Sequence, residues 1–515
     1  MLSSMGTSHE EEEDDPTDPN YHQNQISLVT HTNLPSEPAI QNTRQLLIRC
    51  AELVSQSDWI PAQRLISIIS SNVSPYGDST ERLVHQFARS LSVRLNRHHS
   101  HHLSQNLLMF TRTASTTTTT TATTSSISAA TTDIIPTTVA PTPHQHHQMR
   151  TSGSGGFWVV GGGGGAGGGG GAVAQDLDME LELDKEAVES SYLYLNQITP
   201  FIRFSHLTAN QAILEATEGQ ECIHILDFDT MQGLQWPPLM QAIAERHRRS
   251  STPTEEEESE DPSSNPNPVV AMPMIRITGT GHDLSTLRRT GDRLQRFAHS
   301  LGLRFHFRPL LIEGPTSSSY SPSWIAAMAA HLPSAVPLMP NEVLAVNCVH
   351  FLNRLLRDDD SDAARLILRA IRAMNPRVVT VAEREASHNQ PFFLQRFVQA
   401  LDHYTAIFDS LEATLPPNSR ERLTVEQVWF GKEILDVVAA EGEQRRQRHQ
   451  RFETWVELLT SSGFSNLPLS PFALSQAKLL LRLHYPSEGY QLQILNDSFF
   501  LGWQHQPLFS VSSWH

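Results

Sequence analysis

One stretch, Cys222 to Met240, constrains the fold more than any other: CIHILDFDTMQGLQWPPLM. Cys222 to Phe228 is a near-continuous apolar run bounded by acids, which is how a strand buried on both faces of a parallel sheet reads. With a side-chain period of two, Ile223, Ile225 and Asp227 share one face, and Cys222, His224, Leu226 and Phe228 the other. Trp236-Pro237-Pro238 then opens a helix, because proline's fixed φ and missing N–H are harmless in a first turn, and Leu239, Met240, Ile243 and Ala244 repeat at helical spacing. Strand, loop and helix make the unit of a doubly wound sheet. In such sheets ligands lie beyond the carboxyl ends of the strands, which puts Asp227 to Gly233 where a nucleotide-type cofactor would sit.

That loop carries only part of a cofactor signature. Rossmann-like methyltransferases follow their first strand with D-x-G-x-G-x-G, whose glycines let the backbone approach S-adenosylmethionine. Here the spacing reads Asp227-Phe228-Asp229-Thr230-Met231-Gln232-Gly233, so the acid and the last glycine remain while side chains fill the other two positions. The fold is expected without a cofactor. An S-adenosylmethionine-dependent methyltransferase or small-molecule binder using Asp227–Gly233 stays open as the alternative.

The residues around the loop have double readings. His224 could be a general base, but its place among core residues on the strand favours a buried, hydrogen-bonded histidine. Asp227 and Asp229 could form an acid/base pair, yet no nucleophile motif or metal-ligand set lies near them, which favours capping the loop and accepting backbone N–H bonds. There is no G-x-S-x-G elbow, Walker loop, H-E-x-x-H or zinc-finger spacing, and no catalytic or metal site is expected.

The rest of the chain alternates in kind. Residues 1–41 are acidic and without periodicity, and are expected to be disordered. In residues 42–97 apolar residues recur at i, i+3, i+4 and i+7 through three helices; Leu83, Val84, Phe87 and Leu91 form a stripe on the third, a candidate partner surface. Residues 98–184 form a Thr/His/Gly-rich low-complexity insertion, expected to be flexible. From residue 185 helices lead into the central strand, followed by strands at Met274–Thr278, Leu303–Phe307, Val343–Phe351, Arg377–Ala382 and Thr405–Asp409, with Gly279 and Gly281 in a turn and Asp283 capping a helix. Beyond Tyr485, three short strand patterns predict an antiparallel edge. The expected class is α/β, a mostly parallel Rossmann-like (methyltransferase-like) sheet with an α-helical cap.

Two further motifs stand out. Leu352-Asn353-Arg354-Leu355-Leu356 has L-x-x-L-L spacing, which can dock in a coregulator groove or arise from core packing. Arg445, Arg446, Arg448 and Arg451 form the densest basic run, read as a helix face that is either solvated or touches phosphate or an import receptor. The formal net charge of −17 excludes nothing, because Glu10–Asp15 and Glu255–Asp261 carry much of it in runs that read as solvated. Cys50, Cys222 and Cys348 are scattered in apolar surroundings and read as reduced thiols of an intracellular protein, and no run is long enough for a membrane span.

Five blocks in order give the chain a resemblance to the GRAS family of plant regulatory proteins. They are the leucine-rich block Leu46–Leu95; a VHIID-type motif at Ile223-His224-Ile225-Leu226-Asp227; a second leucine-rich block after strand two; a dispersed PFYRE-type block placed on Pro376, Phe397, Tyr404, Lys432 and Glu433; and a SAW-type block with Trp503 and Ser512-Ser513-Trp514. Lysine at 432 stands where the family has arginine, which loses a bidentate fork. The resemblance implies a non-catalytic transcriptional regulator in the nucleus. Its implied partners are transcription factors, either other GRAS proteins (as a homo- or heterodimer) or zinc-finger proteins, and DNA directly or through them. The members most like this chain imply a role in axillary meristem initiation and shoot branching.

Overall fold

A computed structural model describes residues 37–115, 185–251, 272–312, 322–358 and 362–515. The acidic runs, the threonine and glycine tracts and the second histidine cluster lie outside these residues.

The core is a nine-stranded sheet built from β1 (Cys222–Phe228), β2 (Met274–Gly281), β3 (Arg304–Leu311), β4 (Val343–Val349), β5 (Val378–Arg384), β6 (Asn466–Leu467), β7 (Tyr490–Leu495), β8 (Ser498–Trp503) and β9 (Gln506–Trp514). Their order is β3-β2-β1-β4-β5-β9-β8-β7, with β6 beside β9. The first five run parallel and β9 pairs antiparallel with β5. The strand order reverses between β1 and β4, the topological switch point of a Rossmann-like sheet. As the period of two requires, Ile223 and Ile225 pack with Trp236 and Ile243 on one face of β1, while Leu226 and Phe228 pack with Cys348 and Ile367 on the other.

A helical cap sits over one end. Helices α1 (Glu37–Ser55), α2 (Trp59–Ser71) and α3 (Ser79–Ser115) join a core cluster with helix Phe393–Thr414 and helix Gly431–Ala439. The Asp78 carboxylate accepts the Glu81 N–H at 2.9 Å, capping α3.

Three local expectations change. Thr405–Asp409 is not a strand but part of helix Phe393–Thr414, whose Phe397, Ala400, Leu401, Tyr404, Ile407, Phe408 and Leu411 are all buried. Five residues rich in β-branched and aromatic types read locally as strand; a 3.6-residue period held over 22 residues overrides them. Gly279 and Gly281 belong to β2, not to a turn. A Cβ on Gly279 would stand 2.6 Å from Thr230 Oγ1 and 2.6 Å from Phe307, so this glycine lets the loop after β1 lie against β2. Finally, α3 continues past His98 to Ser115, into the segment read as low-complexity.

Candidate functional site

At the switch point the chain fills its own crevice. The loop after β1 keeps the backbone of a glycine loop without its glycines: Asp229, Met231 and Gly233 have φ of 60°, 47° and 61°. Left-handed backbone costs a non-glycine residue roughly 1 kcal/mol, so Asp229 and Met231 hold it only because their surroundings over-determine it. Asp229 pairs with Arg354 at 2.6 Å, and Met231 packs under the cap cluster. The side chains that stand in for glycine thus tie the loop to neighbouring elements.

Behind the loop lies a buried polar network. Asp227, at the end of β1, accepts the Asn347 amide N–H at 2.8 Å and the Trp236 indole N–H at 2.9 Å. The Gln235 side-chain N–H₂ donates to Asn347 Oδ1 and to Asn210 Oδ1, at 3.0 and 3.1 Å, and Thr380 donates its hydroxyl to Asn347 at 2.9 Å. All are buried, Asp227 being 3% exposed. Burial pushes the Asp227 carboxyl up to about 7, against the opposing pull of the Asn347 and Trp236 donors. The expectation that Asp227 accepts backbone N–H bonds is corrected here, since the donors to its carboxylate are side chains reaching in from β4 and from the helix Trp236–Ser251. Asn210, Gln235 and Asn347 were not legible as a site; their only mark in the sequence is that they interrupt apolar periodicity.

His224 sits in the core. Its Nε2 bonds Thr278 Oγ1 at 2.8 Å, and its Nδ1 accepts from Arg276 at 3.0 Å, an arginine that also pairs with Glu342. Burial first, then the Arg276 charge, lowers its pKa to about 4, so it is a neutral histidine at physiological pH.

A second polar region lies where β5 meets the cap. β5 ends in Glu383 and Arg384, and Glu385 follows directly; all three are nearly sealed, at 1%, 4% and 5% exposed. Arg384 forks onto Glu433 through two bonds of 2.5 and 2.6 Å, lies 5.6 Å from the Phe430 ring and 5.5 Å from the Phe509 ring, and shares Glu433 with the Tyr404 hydroxyl at 3.2 Å. This corrects the expectation for Lys432: it is exposed, and the arginine fork onto Glu433 comes from Arg384 instead. Phe397 and Tyr404 meet Phe87 of α3 at ring-centre distances of 5.3 and 6.4 Å. Pro376 lies apart, beside a groove at the amino ends of the strands. Further along the seam, Arg82 of α3 holds Glu426 at 2.6 Å and Glu412 at 2.7 Å, and Arg422 joins Glu412 at 2.9 Å.

Several sequence candidates prove to be structural. Leu83, Val84, Phe87 and Leu91 are at most 4% exposed and form the floor of the cap, so they are not a partner surface. Leu352, Leu355 and Leu356 of the L-x-x-L-L motif are buried, the first two in a 3₁₀ turn whose first N–H donates to the Glu383 carboxylate at 2.7 Å. Such a turn presents no leucine face to a groove. The basic run is not a helix: residues 445–451 are irregular, and helix Phe452–Ser461 begins after them. Arg445 and Arg448 are buried on Asp358, which leaves only Arg446 and Arg451 of the four arginines exposed. In the SAW-type block, Trp503 donates to Asp409 at 2.6 Å, Trp514 donates to Ser512 at 2.8 Å, and Ser513 donates to the Leu467 carbonyl at 2.9 Å, which locks the antiparallel end of the sheet. Among the described residues there is no cluster of ligands able to hold a metal and no helix long and apolar enough to cross a membrane.

Comparison with known proteins adds the family. The model of the GRAS domain family matches residues 43–141 and 173–515. The chain is 48% identical over 474 residues to Scarecrow-like protein 18 of Arabidopsis thaliana, covering 92% of this chain and 91% of that protein. It is 38% identical over 489 residues to Protein MONOCULM 1 of Oryza sativa subsp. japonica, covering 92% and 88%. The crystal structure of SCL7 from Oryza sativa superposes with a TM-score of 0.60 at 28% identity, over 92% of this chain and 99% of that one.

Proposed function

Because the chain belongs to the GRAS domain family, we propose that it is a non-catalytic regulator of transcription in plant development, acting in the nucleus by holding partner transcription factors on a Rossmann-like frame. Axillary meristem initiation and shoot branching are the setting its sequence resemblance implies. The observation that carries the reading is the closed crevice: the place where such a sheet binds its ligand is occupied by Asp227, Asn347, Gln235 and Trp236 bonded to one another, and by Asp229 paired with Arg354. With Leu83 and its neighbours buried, partner contact falls to the outer side of the cap, where Ile60, Ile68 and Tyr76 are 65%, 56% and 73% exposed.

The test is a pull-down of the full chain from plant nuclear extract, with mass spectrometry, beside a calorimetric titration with S-adenosylmethionine. Recovered transcription factors that are lost on Ile60→Asp/Ile68→Asp, in a protein whose unfolding temperature is unchanged, together with no heat of binding, are the expected result. Saturable micromolar binding of S-adenosylmethionine without such partners would overturn the reading.

A further inference from the structure

Three cations from three separate elements meet at the outer rim of the crevice, outside its closed network. Arg354 stands in the 3₁₀ turn after β4, held by Asp229 at 2.6 Å with 28% of its side chain still exposed. Lys432 lies in the first turn of helix Gly431–Ala439, at the edge of the cap, and Arg446 in the irregular stretch that follows; both are exposed. Asp436 is one helical turn beyond Lys432 and so on the same face of that helix, and it accepts the Arg446 N–H at 2.9 Å. The next residue, Gln447, accepts from the Asn353 amide at 3.4 Å, which sets residue 446 beside residue 354.

The electrostatics agree with that placement. Lys432 is open to solvent, yet its pKa is lowered, first by desolvation in the recess where it stands and then by the charges of Arg446 and Arg354, with Asp436 opposing them. His282, directly after β2, is lowered by burial and by the same two arginines, so the positive charge gathers over the carboxyl ends of β2 and β4. Elsewhere in this stretch cations are neutralised: Arg445 and Arg448 both pair with Asp358. Among the described residues, neither the Lys432 ammonium nor the Arg446 guanidinium has a carboxylate partner, and Asp436 already accepts the Arg446 and Gln447 main-chain N–H groups. Like charges held this way cost stability unless an anion comes between them.

We propose that this rim, formed by Arg354, Lys432 and Arg446, binds a phosphate monoester, either free or carried on a serine or threonine side chain. Two unpaired cations match a dianion. A phosphodiester of a nucleic-acid backbone carries a single charge and would leave half of that match unused. Arg446 supplies a planar fork of N–H donors and Lys432 a mobile point charge, while Arg354, fixed in place by Asp229, adds its exposed edge. Ion pair and ligand site are thus arranged in series: Asp229 ties the loop after β1 to Arg354, and Arg354 carries that link outward to whatever anion the rim holds.

Calorimetric titration of the full chain at constant ionic strength tests this, with inorganic phosphate, with a short alanine-rich peptide carrying phosphoserine, and with the same peptide carrying serine. Saturable binding of phosphate at about millimolar concentration or below is expected. Lys432→Gln/Arg446→Gln should weaken it at least about tenfold while the unfolding temperature stays level or rises, because crowded charges are removed. Lys432→Arg keeps the charge and should retain binding, and Arg451→Gln, which removes an exposed arginine bonded to Gln399, should leave it unchanged. A phosphopeptide held at least about tenfold more tightly than inorganic phosphate makes a partner's side chain the source of the group, and equal or weaker binding makes it the free anion. The proposal is overturned if neither phosphate probe binds saturably, if the serine peptide or added chloride does as well, if short duplex DNA is preferred to both phosphate probes, or if the double glutamine variant binds like the parent.

Discussion

The crevice at β1 and β4 and the seam between β5 and the cap are both buried and polar, but they are built from different chemistry. Behind its loop the crevice uses one carboxyl, Asp227, bonded to the neutral donors Asn347 and Trp236, with Gln235 holding Asn347 in turn. The seam uses full ion pairs, Arg384 on Glu433 and Arg82 on Glu426 and Glu412. A neutral network can be closed among the sheet, the helix after β1 and the helix Pro200–Ala216, and it holds a loop whose backbone is still shaped for a ligand. Charged pairs are worthwhile where two bodies must be registered, because each ion is costly to bury unless its partner arrives from the other side. The crevice therefore reads as a site satisfied from within, and the seam as the junction that makes cap and sheet one unit.

The sharpest break in that comparison is at the seam. Arg384→Met leaves the Glu433 carboxylate buried beside the Tyr404 hydroxyl without its cation, and should lower stability by about 3 to 5 kcal/mol in urea denaturation. Arg384→Met/Glu433→Leu removes both charges and should recover most of the loss. A single-variant loss below about 1 kcal/mol would place the pair in the weak class of exposed bridges and remove the distinction from the crevice.

The crevice should respond less strongly but with a distinctive pH dependence. Asp227→Asn sets an amide N–H₂ against either the Asn347 or the Trp236 donor and should cost about 1 to 3 kcal/mol. The Asp227 carboxyl stands at about 7 in the fold and near 3.9 when unfolded, so the folded state holds the extra proton between those values. Its contribution is fully present below about pH 4 and is lost as pH rises through 7. His388 and His206, lowered to about 3 by burial, act in the opposite sense, since their contribution is lost as pH falls below about 6.5. Chemical denaturation of parent and variant from pH 4 to 8 separates the two, because the difference between them should shrink as pH rises. A constant difference would mean that Asp227 is ionised throughout.

How much of this the sequence showed depended on whether a residue's role was periodic. β1 with its two faces, and the helix after it, were legible because apolar spacing and two prolines act over short range. The failures share a cause: at Thr405–Asp409, at Leu352–Leu356 and at the arginine run, local composition was read without knowing what packs against it. Arg445 and Arg448 look like a basic surface until Asp358, distant in sequence, is brought beside them. Glu383-Arg384-Glu385 carried a usable mark, charge continuing an apolar strand, since a charged strand end in a buried sheet must find partners. Asn210, Gln235 and Asn347 carried almost none, because their meaning depends on three separate elements meeting.

The smallest effects lie in the loop itself, and they compare its retained glycine with its replaced ones. Gly233→Ala combines left-handed φ with a Cβ 2.8 Å from the Thr290 methyl, and should cost about 1 to 3 kcal/mol. Asp229→Gly relieves its left-handed backbone, roughly 1 kcal/mol, but gives up the Arg354 pair, which is partly exposed and correspondingly weak. The two terms nearly cancel, and the change in unfolding midpoint should stay within about 1 kcal/mol in either direction. A loss of several kcal/mol at Asp229 would show that this side chain anchors the loop as firmly as the network behind it, and the crevice would then depend on an ion pair much as the seam does.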